Sequence, residues 1–155
     1  MMRGFLTRLA RDERGASIVE MAMVAPVLAT LFIGMVDVSN AYSMKLQLEQ
    51  AAQRSIEKVM QYRTTYSTYT TLQNEAATAA GVSTAAVTVE YWHECNGVKQ
   101  ATYNTVCTGT TPTEARYISV EIDKNFTPRF GTRFFPGANA DGSFTITAKA
   151  GIRTQ

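Results

Sequence analysis

Three groups of residues in this chain are of types that do chemistry. His93-Glu94-Cys95, with a second cysteine at Cys107, brings together the side chains used in nucleophilic catalysis, proton transfer and metal binding. Glu90 and Glu94 form a pair of acids of the kind that shares general acid and base roles. Glu20 stands five residues past Gly15 at the start of an apolar run, where an unpartnered carboxylate is costly.

The first two groups fail on geometry and on count. Val87, Val89 and Tyr91 alternate with other residues in the manner of a strand, and successive strand side chains point to opposite faces, so His93 and Glu94 diverge. A structural zinc wants four ligands at recognisable spacing, and His93, the only histidine, cannot complete such a set with two cysteines. Gly-x-Ser-x-Gly elbows, phosphate loops and zinc-protease signatures are all missing. We therefore expect no catalytic residue, no metal and no cofactor. If this half of the chain is exported, an oxidising compartment favours a Cys95–Cys107 disulfide; otherwise the two remain a reduced, buried pair.

Charge and hydropathy indicate which elements carry these residues. The formal charge is +2, but Arg3, Arg8, Arg11 and Arg14 oppose only Asp12 and Glu13 in residues 1–15, and the remainder balances at eleven basic against eleven acidic. A folded part so balanced lacks the basic face that binds nucleic acid. Met21 to Val36 contains no charge. Ala16 to Val38, at the helical rise, spans about 34 Å, enough for a bilayer core of about 30 Å. Arginines before this run and Asp37 after it put the N-terminus in the cytoplasm by the positive-inside rule. Pro26 should kink or loosen the helix, and Asp37 reads as a solvated helix-end acid.

Helical periodicity continues past the apolar run. Ala41, Met44, Leu48, Ala51, Ala52, Ile56, Val59 and Tyr62 recur at three- and four-residue steps, so one helix is expected from about Ala16 to Arg63, with two helices bent near Ser39 and Asn40 as the alternative. Thr64 to Thr71 reads as a connector, and Leu72 to Ala80 as a short helix closed by Gly81. Period-two stripes follow at Val87, Val89 and Tyr91, at Ile118, Val120 and Ile122, and from Phe144 to Ile152, with a turn signal at Asn96-Gly97. Helices first and strands after imply an α+β fold with an antiparallel sheet. The expected parts are a leader (1–15), a transmembrane helix (16–38), an amphipathic extension (39–63) and an exported domain (64–155).

The junction Glu13-Arg14-Gly15-Ala16-Ser17-Ile18-Val19-Glu20-Met21-Ala22-Met23-Val24-Ala25-Pro26 is unlike an ordinary signal peptide, whose cleavage site follows the hydrophobic run. It resembles the type IV prepilins, and more closely the TadE-like pseudopilins of the tight-adherence (Tad or Flp) pilus system. Met21 stands where that family usually has an aromatic. The likeness continues through Gly34-Met35-Val36-Asp37 and recurs more weakly at Asn125-Phe126-Thr127-Pro128 and Thr147-Ala148-Lys149-Ala150.

This resemblance implies a pilin-like, non-catalytic subunit cut between Gly15 and Ala16 by an aspartyl prepilin peptidase. It further implies that Glu20 pairs with the Ala16 amine of a neighbouring subunit. The implied partners are the peptidase, other pilin or pseudopilin subunits, the inner-membrane pilus machinery and lipid, with adhesion and biofilm formation as the biology. The rival is an extracytoplasmic binding domain behind a conventional signal segment, for which Ser39-Asn40-Ala41 supplies a small-x-small cleavage site.

Overall fold

The computed structural model describes residues 13–62, 69–129 and 136–154. Most of the charged leader, including Arg3, Arg8 and Arg11, and most of the threonine-rich connector lie outside these residues. Helix α1 spans Glu13–Tyr62. It is a single element with no break at Ser39 or Asn40, and it begins three residues before the expected start at Ala16. The chain divides into two compact units, residues 1–39 and 40–155, and α1 contributes to both.

In the second unit α1 is followed by α2 (Tyr69–Ala80), a 3-10 turn (Thr84–Ala86) and four strands: β1 (Val87–Cys95), β2 (Val98–Lys99), β3 (Glu114–Phe126) and β4 (Phe144–Arg153). The sheet has the order β2-β1-β3-β4 and every pairing is antiparallel. The architecture is thus α+β, as the sequence implies. Helix α2 starts at Tyr69 rather than Leu72. Thr70 and Thr71 are poor helix formers, but burial of Leu72, Ala76 and Ala77 outweighs so weak a preference.

Periodicity decides which faces meet. Leu48, Ala51, Ala52 and Ile56 lie on one stripe of α1 and are buried with Leu72, Ala76 and Ala77 of α2. Against them pack Val87 of β1, Ile118, Val120 and Ile122 of β3, and Ala148 of β4. These strand residues share one face because the register pairs Val87 with Ile122 and Ile122 with Ala148. Ser55 falls on the buried stripe and donates its hydroxyl to the Ala51 carbonyl at 2.9 Å, which removes the cost of an unpaired polar group. Lys58 and Glu75 link α1 to α2 at 2.9 Å.

The ends of these elements are chemically specified. Gly81 has φ of +62°, its N–H donates to Thr78 O at 3.3 Å, and Val82 N–H donates to Ala77 O at 3.0 Å. This is the Schellman closure of α2. Asn96 (φ 51°) and Gly97 (φ 78°) turn β1 into β2, and both adopt the left-handed backbone that a two-residue hairpin requires. Between β3 and β4, Asp141 accepts hydrogen bonds from the backbone N–H and hydroxyl of Ser143, which hold its carboxyl below the ordinary carboxylate range.

Ile122 is fully buried at the centre of this packing. Ile122→Ala should cost roughly 2–5 kcal/mol, read as a lower urea midpoint for the full chain in detergent micelles. Thr88→Ala, on an exposed position of β1, should change stability by less than about 0.5 kcal/mol. Equal midpoints for the two variants would show that Ile122 is not a core anchor.

Candidate assembly segment and sheet-end cluster

The first half of α1 exposes its apolar surface on every side. Ile18, Val19, Met21, Met23, Val24, Val27, Leu28, Leu31, Phe32, Ile33, Met35, Val36 and Val38 are all exposed, Met23 to 74%. No single stripe is turned inward, as a core helix of a soluble domain would require. This N-terminal helix is long and apolar enough to cross a membrane, with a mean hydropathy of 2.0 over its most apolar stretch. Gly15 and Ala16 lie within its first turns, and Glu20 is exposed one turn further on. Pro26 sits inside the helix, which continues on both sides of it. Its missing N–H leaves the Ala22 carbonyl without its usual partner.

Asp37 departs from expectation. It is 8% exposed and has an interaction partner, so it is not a solvated helix-end acid. A carboxylate this buried requires such compensation.

A second constellation forms at the end of the sheet away from Val87 and Ile122. The cross-strand register sets His93 opposite Arg116 and Cys95 opposite Glu114. His93 is 0% exposed, with Nε2 at 3.1 Å from Glu114 Oε1. The same carboxylate oxygen accepts from Arg116 Nη2 at 2.9 Å and Nε at 3.1 Å. Cys95 and Cys107 are joined as a disulfide, with Cα atoms 5.5 Å apart. The sulfurs of Cys107 and Cys95 lie 3.5 and 4.0 Å from His93 Nε2. Tyr103 packs edge-on against Tyr91 at 5.3 Å and receives the Arg116 guanidinium over its ring at 5.2 Å. The segment between β2 and β3 is pinned by Gln100 N–H donating to His93 O and by Asn96 N–H donating to Thr113 O, each at 2.8 Å.

The stretch that matches a known family lies in α1, not in this cluster. Residues 15–56 match the family model of TadE-like proteins. The resemblance read at Gly15 to Pro26 is therefore borne out, and the match runs on to Ile56 within the same helix. No curated protein and no solved structure matches the chain. The TadE-like family points to a pilin-like protein associated with the tight-adherence pilus, and pilus components are the partners it implies. The apolar N-terminal helix fits a membrane-anchored pilin of that kind.

The structure separates the residues singled out in the sequence into two sites. Gly15, Ala16, Glu20 and Pro26 share α1, whereas His93, Cys95 and Cys107 converge at the sheet end. Glu94 points away from His93 and accepts a hydrogen bond from Trp92 Nε1 at 2.8 Å, on the opposite face. Sequence reasoning missed Glu114 and Arg116 as partners of His93. Their signal was the alternation along β3, which becomes informative only once the register against β1 is known.

The disulfide closes a loop with a sequence separation of 12. In the chain-entropy relation a loop of that size is worth roughly 3 kcal/mol, so the double variant Cys95→Ser/Cys107→Ser should lose about that much on denaturant unfolding. Protein taken from intact cells into alkylating agent without reductant should carry no label at either cysteine. Two labelled thiols would mean that the crosslink does not form in the cell.

Proposed function

We propose that this protein is a pseudopilin or minor pilin-like subunit that acts, without catalysis of its own, in assembling a tight-adherence, type IV-like pilus used in adhesion. The observation that carries this reading is Glu20. It is an exposed carboxylate immediately before the uncharged apolar run Met21 to Val36, within the stretch that matches the TadE-like family. A charge there costs up to a few kcal/mol near the bilayer centre and less near the interface. A partner amine offsets that cost. Removal of residues 1–15 by a prepilin peptidase creates such an amine at Ala16, one helical turn from Glu20.

In this reading the N-terminus faces the cytoplasm and residues 64–155 lie outside it, consistent with the arginines of residues 1–15 and with the disulfide. Gly15 suits a protease that must approach the backbone closely, since it has no side chain to obstruct. Lipid surrounds residues 16–38 before assembly, and neighbouring subunits replace it afterwards.

N-terminal sequencing of protein from the native membrane should begin at Ala16. A start at Tyr42 would instead assign a secreted domain behind a conventional signal segment, and a start at Met1 an unprocessed anchor.

The assembly role is tested apart from processing. Glu20→Ala should still insert and be cut, because the peptidase reads the leader and Gly15, so processed protein should accumulate in the inner membrane while surface pili are lost. Gly15 replaced by a bulky residue should leave uncut precursor. Immunoblots for processing and electron microscopy for pili separate the two outcomes. Normal piliation with Glu20→Ala would return Glu20 to a carboxylate that merely reaches the interface.

A further inference from the structure

Along the edge of β1 that carries β2, the chain leaves a cavity of about 450 Å³. Small-ligand sites run from about 300 to 1,000 Å³. Tyr91 and Trp92 of β1 and Tyr103 of the following segment form its aromatic walls, and Gln100, Thr102 and Asn104 bring amide and hydroxyl groups to it. Lys99 is the one charged side chain in this lining.

The walls are in place before any ligand arrives. Trp92 stacks on Tyr117 with ring centroids 5.0 Å apart and planes 13° apart, and Lys99 Nζ lies 5.3 Å from the centroid of the same indole. Because β2 and β3 flank β1, these two neighbours stand on opposite sides of Trp92, whose ring N–H is already donated to Glu94. Tyr103 is held by Tyr91 and Arg116. Gln100 is fixed by its backbone N–H to His93 O and by Nε2 donating to Val98 O at 2.9 Å, which leaves Oε1 as an acceptor. A hydroxyl pair between Thr102 and Thr105 at 2.7 Å shapes the turn that carries Tyr103 and Asn104. Groups held in this way lose little freedom when a ligand binds.

The same lining selects the chemistry of the ligand. Anions are held by several cations or N–H donors, and a single lysine engaged with an indole does not supply them. A quaternary ammonium needs open aromatic faces, and those of Trp92 are covered by Tyr117 and Lys99. The remaining class is a neutral molecule with an apolar face and a rim of hydroxyls. A pyranose sugar fits that description: its C–H face meets the negative face of an aromatic ring, and its hydroxyls meet amides that both donate and accept. Tyr91, 44% exposed, is the ring that presents most surface to it.

We propose that the cavity between Tyr91, Trp92 and Tyr103 binds a neutral saccharide. Surface polysaccharide and cell-wall glycan share this pyranose chemistry. Saccharide capture deepens the adhesive reading and rests on residues 64–155 lying outside the cytoplasm. It is measured on purified protein without pili, so its failure leaves the Ala16 start and the Glu20→Ala outcome untouched.

Trp92 is the only tryptophan, and its fluorescence therefore reports on the cavity alone. The full chain is held in polyoxyethylene ether micelles, which carry neither sugar nor choline, and titrated with cellobiose, lactose, N,N′-diacetylchitobiose, choline and inorganic phosphate. At least one disaccharide should shift the Trp92 emission saturably and receive saturation transfer from the protein in NMR. A response confined to diacetylchitobiose assigns the cell-wall source, and one confined to cellobiose or lactose the polysaccharide source. Tyr91→Ala and Asn104→Ala should each weaken binding by about tenfold with the far-ultraviolet circular dichroism unchanged. Asn104 is exposed, so its variant decides if Tyr91→Ala does not fold. No response to any of the three disaccharides, a response to choline or phosphate in their place, or undiminished affinity in either folded variant would overturn the site.

Discussion

Burial of one stripe of α1 in a common core with α2 and the sheet is the constraint on which the folded unit depends. Ala51, Ala52, Ala76, Ala77 and Ala148 are all buried, and their small side chains let two helices and a strand draw near enough for Leu48, Ile56, Leu72, Val120 and Ile122 to fill the space between. Fully burying each of these large side chains contributes about 1.5–3 kcal/mol, whereas the alanines contribute little area and much proximity. A larger residue at Ala52 or Ala148 would therefore act by separating layers, not by adding apolar surface. The ion pair of Lys58 with Glu75 is exposed at the edge of this packing and adds at most about 1 kcal/mol.

The sheet is chemically divided along its length by the same geometry. On the face that receives α1 and α2, β1 and β3 present Val87, Val89, Ile118, Val120 and Ile122 at one end and His93, Cys95, Glu114 and Arg116 at the other. The register continues past the helices, so the polar end needs a different cover. The segment between β2 and β3 provides it, tied by the disulfide and by Tyr103 against Tyr91 and Arg116. Tyr91 lies at this boundary, and although it is on the apolar stripe of β1 it stays 44% exposed. Among the described residues the Nδ1 of the fully buried His93 has no hydrogen-bond partner, which costs roughly 1–3 kcal/mol, and the contact of Nε2 with Glu114 is what holds the ring in place.

What was legible in the sequence is whatever has a short period or a fixed turn chemistry. The stripe from Met44 to Val59, the alternation in β1, β3 and β4, the glycine closing α2 and the Asn96-Gly97 turn each depend on residues within a few positions of one another. The α+β class followed from their order. β2 was not legible because two residues carry no period, and it exists only because the tight turn returns the chain against Glu94 and Cys95. The start of α2 was misplaced since local propensity argued against Thr70 and Thr71 while the packing of Leu72 and Ala76 argued for them. Neither the burial of Asp37 nor the pairing of His93 with Glu114 could be read locally. The second depends on a register between strands separated by about twenty residues of chain, which periodicity does not specify.

The first half of α1 poses the opposite problem from the core, because its apolar residues face outward all round. Any apolar surroundings satisfy Leu31, Phe32 or Met35 equally well, since lipid tails and the side chains of a neighbouring helix are alike in polarity. Such residues anchor the segment without choosing between lipid and protein. Glu20 does choose, because hydrocarbon offers a carboxylate nothing, while a helix bundle can offer it a buried amine. A helix made only of the surrounding residues would be as content dispersed in a membrane as packed in a filament. In the proposed reading the charge of Glu20 gives the packed state a contact that lipid cannot reproduce, and that difference drives subunits out of the bilayer and sets their register.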